Sequence, residues 1–218
     1  MRLQSAIFDM DGTLVDSMST WSTAAVNVLR SLGIEPAPDV HAHIADLTVV
    51  DGARYCVETH NLSMTTQQFI DRINDYMETF YRTEVQAKPG VKKFLSLLKM
   101  EGVWMYIATN TDRHLVEIAL KHTGLDGFFR GILTCGEVGI GKKESPEIYE
   151  RALRRLRSTK KDTVVFEDAL HAIRTAKAAG FRVCAVYDDF EKNSQDEIRA
   201  LSDYYIQSFE EMFESERL

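Results

Sequence analysis

The chain has 218 residues, 44% of them hydrophobic, with 33 acidic against 26 basic side chains and a formal charge of −7. That length can bury one substantial core and still supply a small accessory unit, and the hydrophobic share is that of a globular rather than a disordered chain. The acidic balance disfavours a nucleic-acid backbone as partner, whereas a small anionic metabolite can still be held by local positive groups or a metal.

Residues 3–8 read as a first strand, an apolar run that ends at Asp9-Met10-Asp11-Gly12. If the strand continued through both carboxylates they would share one face. If Gly12 begins a turn, Asp11 swings away from Asp9 and can offer its side chain and its backbone carbonyl in different roles. Residues 17–86 then change character. Trp21, Ala24, Ala25, Val28 and Leu29 fit one helical face that Gly33 can end, and Phe69, Ile70, Ile73, Met77 and Phe80 mark another helix.

Lys88-Pro89-Gly90 marks a return to mixed structure. Strands are predicted at 103–108, 131–134, 163–166 and 182–186, alternating with helices at about 90–100, 113–122, 146–156 and 169–179. Gly102, Gly124 and Gly180 serve as helix stops, and residues 209–213 form a packing helix. This recurrence predicts an α/β fold, a mostly parallel sheet flanked by helices, in which 1–16 and 87–218 form the core and 17–86 an inserted α-helical cap. Such sheets gather functional loops beyond the carboxyl ends of their strands. Asp9, Thr109 and the Glu167-Asp168 pair all fall there, which predicts one composite site.

Cys56, Cys135 and Cys184 are too scattered for a metal or redox motif and are expected as buried thiols. With no basic-then-apolar leader and no run long enough to span a bilayer, a reducing cytoplasm is the expected setting. The hard carboxylate oxygens of Glu167 and Asp168 suit Mg²⁺ better than these cysteines suit a soft metal. Taken alone, each element also has a plain structural use. Glu167-Asp168 could cap a helix, Thr109-Asn110 could make a turn, and Lys143 and Arg54 could be solvated surface residues.

Four separated blocks alter that balance: F-D-M-D-G-T-L-V-D-S at 8–17, A-T-N at 108–110, G-K-K-E-S-P-E-I-Y at 141–149 and F-E-D-A at 166–169. In order and spacing they resemble the haloacid-dehalogenase-like hydrolase superfamily, within its helical-cap phosphatase and β-phosphoglucomutase-like group. The resemblance covers nearly the whole chain and implies a Rossmann-like core. It implies Asp9 as a nucleophile that forms an aspartyl-phosphate, and Asp11 as general acid and base whose carbonyl also ligates Mg²⁺. It further implies Asp168 as a metal ligand, Glu167 as a direct or water-mediated one, Thr109 as a phosphate ligand, Asn110 beside the substrate, and Lys143 as the compensating positive charge. Arg54 is a candidate substrate contact from the cap.

The third block departs from the common pattern, since Glu144-Ser145-Pro146 follows Lys143 where many relatives have proline at once, and Lys142 competes for the register. Ala169 and Ala172 replace a common serine and glycine. The implied reaction is Mg²⁺-dependent hydrolysis of a small organic phosphate monoester, with the cap and its approach loops setting specificity. The alternatives are β-phosphoglucomutase-like relocation of the phosphoryl group, and a non-catalytic phosphate-binding protein. Mutases of that type usually place a histidine where this chain has Trp21. The expected partner is a small phosphorylated metabolite, with no nucleic acid, no membrane and a monomeric state.

Overall fold

The computed structural model describes residues 3–37, 39–44 and 47–213. Its strands are β1 (Ser5–Phe8), β2 (Val15–Asp16), β3 (Gln86–Ala87), β4 (Trp104–Thr109), β5 (Ile132–Thr134), β6 (Thr163–Glu167), β7 (Arg182–Val186) and β8 (Tyr204–Ile206). Its helices are α1 (Met18–Ser31), α2 (Val40–Ile44), α3 (Val49–Thr59), α4 (Thr66–Thr83), α5 (Val91–Met100), α6 (Arg113–Thr123), α7 (Cys135–Val138), α8 (Glu147–Leu156), α9 (Leu170–Ala178) and α10 (Gln195–Leu201). Two compact units result, one from the chain up to Asp16 and from Val85 onward, the other from Ser17–Glu84.

The first unit is built on a six-stranded sheet in the order β5-β4-β1-β6-β7-β8, with every neighbouring pair parallel. Parallel neighbours need long crossovers, and the helical segments between strands supply them. β1 is buried along its whole length, as a central strand covered on both faces must be. Alternation sorts its residues. Ile7 joins Val165, Val183, Ile148 and Ile173 in one core. Phe8 stacks on its register partner Phe166 at 4.4 Å between ring centroids, and Phe94 and Phe209 close around that pair.

The register pairs Phe8 with Ile107 of β4 and with Phe166 of β6. The three central strands therefore end almost level, with Asp9, Thr109 and Glu167 at or just past their carboxyl ends. β2 and β3 pair antiparallel where the chain leaves and re-enters this unit. β1 begins at Ser5 rather than at residue 3. The edge strand β8 and helix α10 were not legible, because three and seven residues are too few to display a period. The predicted packing helix at 209–213 is present as a short 3₁₀ helix, which packs through the fully buried Phe209.

The second unit is helical. Phe69, Ile73, Met77 and Tyr81 recur every four residues on α4 and are all buried, and this helix packs on both α1 and α3. Thr65 and Gln68 start it with reciprocal side-chain bonds to the free backbone amides. Trp21 on α1 donates its indole N–H to the Tyr81 hydroxyl at 2.7 Å. Neither α2 nor α3 was expected as a separate helix; Thr48, whose hydroxyl accepts from the Asp51 amide, is the local start signal for α3. No helix among the described residues is long and apolar enough to cross a membrane.

Gly90 precedes α5 with φ +81°, and a Cβ there would lie 2.6 Å from the Glu210 nitrogen and 2.7 Å from the Phe209 carbonyl carbon. Gly90→Ala should therefore lower stability by about 3 kcal/mol, combining left-handed strain with displacement of the segment that carries Phe209. Urea unfolding measures this; an unchanged midpoint would mean that the C-terminal segment yields without disturbing the aromatic cluster.

Candidate active site

β1 ends at Phe8, but the ladder reaches one residue further, since the Asp9 amide donates to the Phe166 carbonyl at 3.0 Å. Beyond it the chain turns. Gly12 takes φ +79°, and the amides of Leu14 and Val15 both donate to the Met10 carbonyl. Met10 and Leu14 are completely buried, so apolar anchors hold a polar loop in place. The turn separates the two carboxylates. Asp9 faces Lys143 and Asp168, whereas Asp11 accepts a hydrogen bond from the Thr111 hydroxyl at 2.7 Å. Of the two arrangements the sequence allowed, the turn is the one adopted.

Lys143 lies between α7 and α8 and is only 2% exposed. Its ammonium stands 2.6 Å from Asp9 Oδ1 and 2.5 Å from Glu167 Oε1, and it also donates to the Ala108 carbonyl at 3.4 Å. Burial alone would lower its pKa, but the charges of Asp9 and Glu167 outweigh burial and raise it, so the group stays protonated. Lys142, its rival in the sequence register, is only partly buried. Glu167 is fully buried at the end of β6, and its Oε1 also accepts from the Tyr149 hydroxyl at 2.8 Å. Burial pushes the Glu167 carboxyl up to about 7, with Lys143 pulling it down and Asp9 pushing it further up. Burial and then the charge of Glu167 hold the Tyr149 phenol well above its usual range, keeping it a donor.

Asp168 follows β6, and its Oδ1 accepts from the buried hydroxyl of Thr13 at 2.8 Å. Burial, then the charges of Asp9 and Glu167, raise its carboxyl well above the usual range. The Asp9, Glu167 and Asp168 carboxylates each bring an oxygen within 4.8 Å of the others, and all three are buried. Each such pair repels by about 3 kcal/mol or more at an effective dielectric of ~20. The raised proton affinities of Glu167 and Asp168 register that repulsion, which a bound cation would relieve. Glu167 Oε2 is moreover buried with no hydrogen-bond partner. An all-oxygen donor set, crowded carboxyl groups and an orphaned carboxylate oxygen together fit a hard divalent cation.

Thr109 ends β4, is 1% exposed, and accepts from the Thr111 amide at 3.2 Å, so its hydroxyl oxygen shapes the turn that follows. Asn110 is exposed and accepts from the Cys135 thiol, a bond that leaves its amide donors unspent. Arg54 lies on α3 in the helical unit, exposed and paired with Asp51 at 2.9 Å. Glu167 and Asp168 do not cap α9, whose N-cap position is Ala169 with no side-chain bond. Sequence reasoning missed Thr13, Thr111 and Tyr149. A hydroxyl within two residues of each acidic or strand-end position was the available signal for the two threonines, and nothing local marked Tyr149.

A parallel sheet whose level central strands end in a buried carboxylate group, met by a lysine from the segment before α8, is the layout of an α/β enzyme with its site at the carboxyl edge. Residues 6–186 match the haloacid dehalogenase-like hydrolase family, and the chain belongs to that family. It is 28% identical over 178 residues to a phosphorylated carbohydrates phosphatase of Thermotoga maritima, covering 82% of each chain. It is 30% identical over 225 residues to a phosphoglycolate phosphatase of Neisseria meningitidis, covering 98% of this chain and 93% of that one. The crystal structure of CbbY from Rhodobacter sphaeroides in complex with phosphate shares the fold at a TM-score of 0.82 and 23% identity, covering 96% of each chain.

Tyr149→Phe preserves the ring and removes the donor to Glu167. Losing a hydrogen bond to a buried charged group should lower stability by about 2 kcal/mol, read from urea unfolding. A variant as stable as the parent would mean that the carboxylate finds another donor.

Proposed function

We infer that this chain is a magnesium-dependent phosphatase that hydrolyses a small organic phosphate monoester through an aspartyl-phosphate on Asp9. The observation that carries the reading is the buried Lys143 ammonium 2.6 Å from Asp9, inside a group of three carboxylates suited to a divalent cation. The phosphatase names of two relatives support it, one acting on phosphorylated carbohydrates and one on phosphoglycolate.

In this reading Asp9 attacks phosphorus, and Lys143, 2.6 Å away, orients it and offsets charge on the transferring group. Asp11 gives a proton to the leaving ester oxygen and later takes one from the attacking water. Thr109 and Asn110 supply polar contacts to the phosphate, and Arg54 contributes to substrate binding from the helical cap; its exposed pairing with Asp51 is weak enough to exchange. Asp9, Asp168 and Glu167, the last directly or through water, would hold Mg²⁺, together with the Asp11 carbonyl that the family resemblance implies. The bound ion would supply shielding of negative charge between nucleophile and phosphate.

Residues 1–16 and 87–218 then form the catalytic unit and 17–86 the cap that selects substrate, in a monomeric cytoplasmic enzyme. Hydrolysis is favoured over relocation of the phosphoryl group by Trp21. Indole is a donor only, and its N–H is already given to Tyr81.

A panel of sugar phosphates, phosphoglycolate and other small esters should release inorganic phosphate with Mg²⁺, fall to background on chelation and recover when Mg²⁺ is restored. Turnover that survives chelation would rule out the metal assignment, and an isomeric sugar phosphate as sole product would replace hydrolysis with relocation. Rapid acid quench and peptide mass analysis should place a phosphate on Asp9. Asp9→Asn should abolish that adduct while retaining similar size at the position. Robust single-turnover hydrolysis by Asp9→Asn, with no reversion of asparagine to aspartate, would exclude Asp9 as nucleophile.

A further inference from the structure

Asp11 stands apart from the three clustered carboxylates, and its side chain is tied to a residue 100 positions away. The Thr111 hydroxyl donates to Asp11 Oδ2 at 2.7 Å, and both residues are buried. That length is a well-formed hydroxyl hydrogen bond. Thr111 lies in the link between β4 and α6, where its own amide is spent on Thr109 Oγ1 at 3.2 Å. The pairing of β1 with β4 holds the two loops side by side, and a β-branched side chain on a fixed turn has few rotamers left. An aspartate carboxyl, by contrast, rotates readily about its terminal torsion unless something holds it.

We propose that Thr111 is the positioning residue for Asp11, fixing the angle at which that carboxyl exchanges its proton. The proposal rests on the reading of Asp11 as general acid and base. In the first transfer the Asp9 oxygen–phosphorus bond forms and the phosphorus–ester oxygen bond breaks, while the ester oxygen takes a proton from Asp11. In the second, the water oxygen–phosphorus bond forms and the Asp9–phosphorus bond breaks, while the water proton passes to Asp11. Thr111 touches neither phosphate nor nucleophile in this role; it acts through Asp11.

The test compares two esters that differ in their need for an acid. 4-Nitrophenyl phosphate leaves as a stable phenolate that needs no proton at neutral pH, whereas phenyl phosphate leaves an oxygen that does. Pre-steady-state release of the phenol, with Mg²⁺ present, isolates the first transfer. Thr111→Val, nearly the same shape without the hydroxyl, should slow release from phenyl phosphate about tenfold, a fraction of what a general acid contributes, and leave 4-nitrophenyl phosphate within about twofold. KM should hardly move, the phosphoenzyme should persist longer, and Thr111→Ser should restore the rates. Urea midpoints check folding, and Thr111→Ala replaces the valine variant if that one does not fold. Asp11→Asn separates the two claims. If it slows phenyl phosphate selectively and the Thr111 variants do not, or if they slow both esters equally, the positioning role is overturned and the acid reading stands. If Asp11→Asn itself shows no dependence on the leaving group, the acid reading fails and the role of Thr111 falls with it.

Discussion

A single buried ammonium holds the site together. Lys143 meets Asp9 from the end of β1 and Glu167 from the end of β6, joining two strands and the segment before α8 at one point that solvent barely reaches. Removing a charge from water carries a penalty of several kcal/mol, which close and well-placed partners must offset. Two carboxylates at about hydrogen-bond distance do so for the lysine. The same contacts leave the carboxyl groups only partly compensated, because Asp168 crowds in as a third and one oxygen of Glu167 has no partner. The lysine thus stabilises the fold at this point and leaves a residual charge that a cation can answer.

That arrangement depends in turn on the parallel ladder. With Phe8 level with both Ile107 and Phe166, the loops after β1, β4 and β6 start from the same height, and their first polar side chains converge. The stacked pair of Phe8 and Phe166 sits directly beneath, so apolar packing fixes the platform on which the charges are placed. Convergence alone would crowd all the acidic groups together. The chain leaves the ladder after Asp9 and turns at Gly12, and Asp11 meets Thr111 instead of joining the cluster. Two carboxylates two residues apart thereby stand in different surroundings.

The hydroxyls around the site follow a common logic. Thr13 holds Asp168, Thr111 holds Asp11, and Tyr149 holds Glu167, each from a different loop or helix. A carboxylate that binds a cation or moves a proton must keep its orientation, and a neutral donor does this without cancelling its charge. Replacing these donors by lysine or arginine would hold the carboxylates equally well and would neutralise the site.

Much of this was legible in the sequence because it is local. Alternating strands and helices, the apolar run before Asp9, and the acidic pair after an apolar β6 each lie within a few residues, where periodicity and turn chemistry act. The resemblance of four spaced blocks to a known family supplied roles for Asp9, Asp11, Lys143 and Asp168 that spacing alone left open. Which hydroxyl serves which carboxylate, and that the Lys143 ammonium bridges Asp9 and Glu167, were not legible. The bonds concerned join residues 100 and 155 positions apart, or cross from a helix to a strand end. They exist only once strand order, register and loop height are set, and the desolvation that gives them their strength belongs to the packed structure and to no segment of the chain.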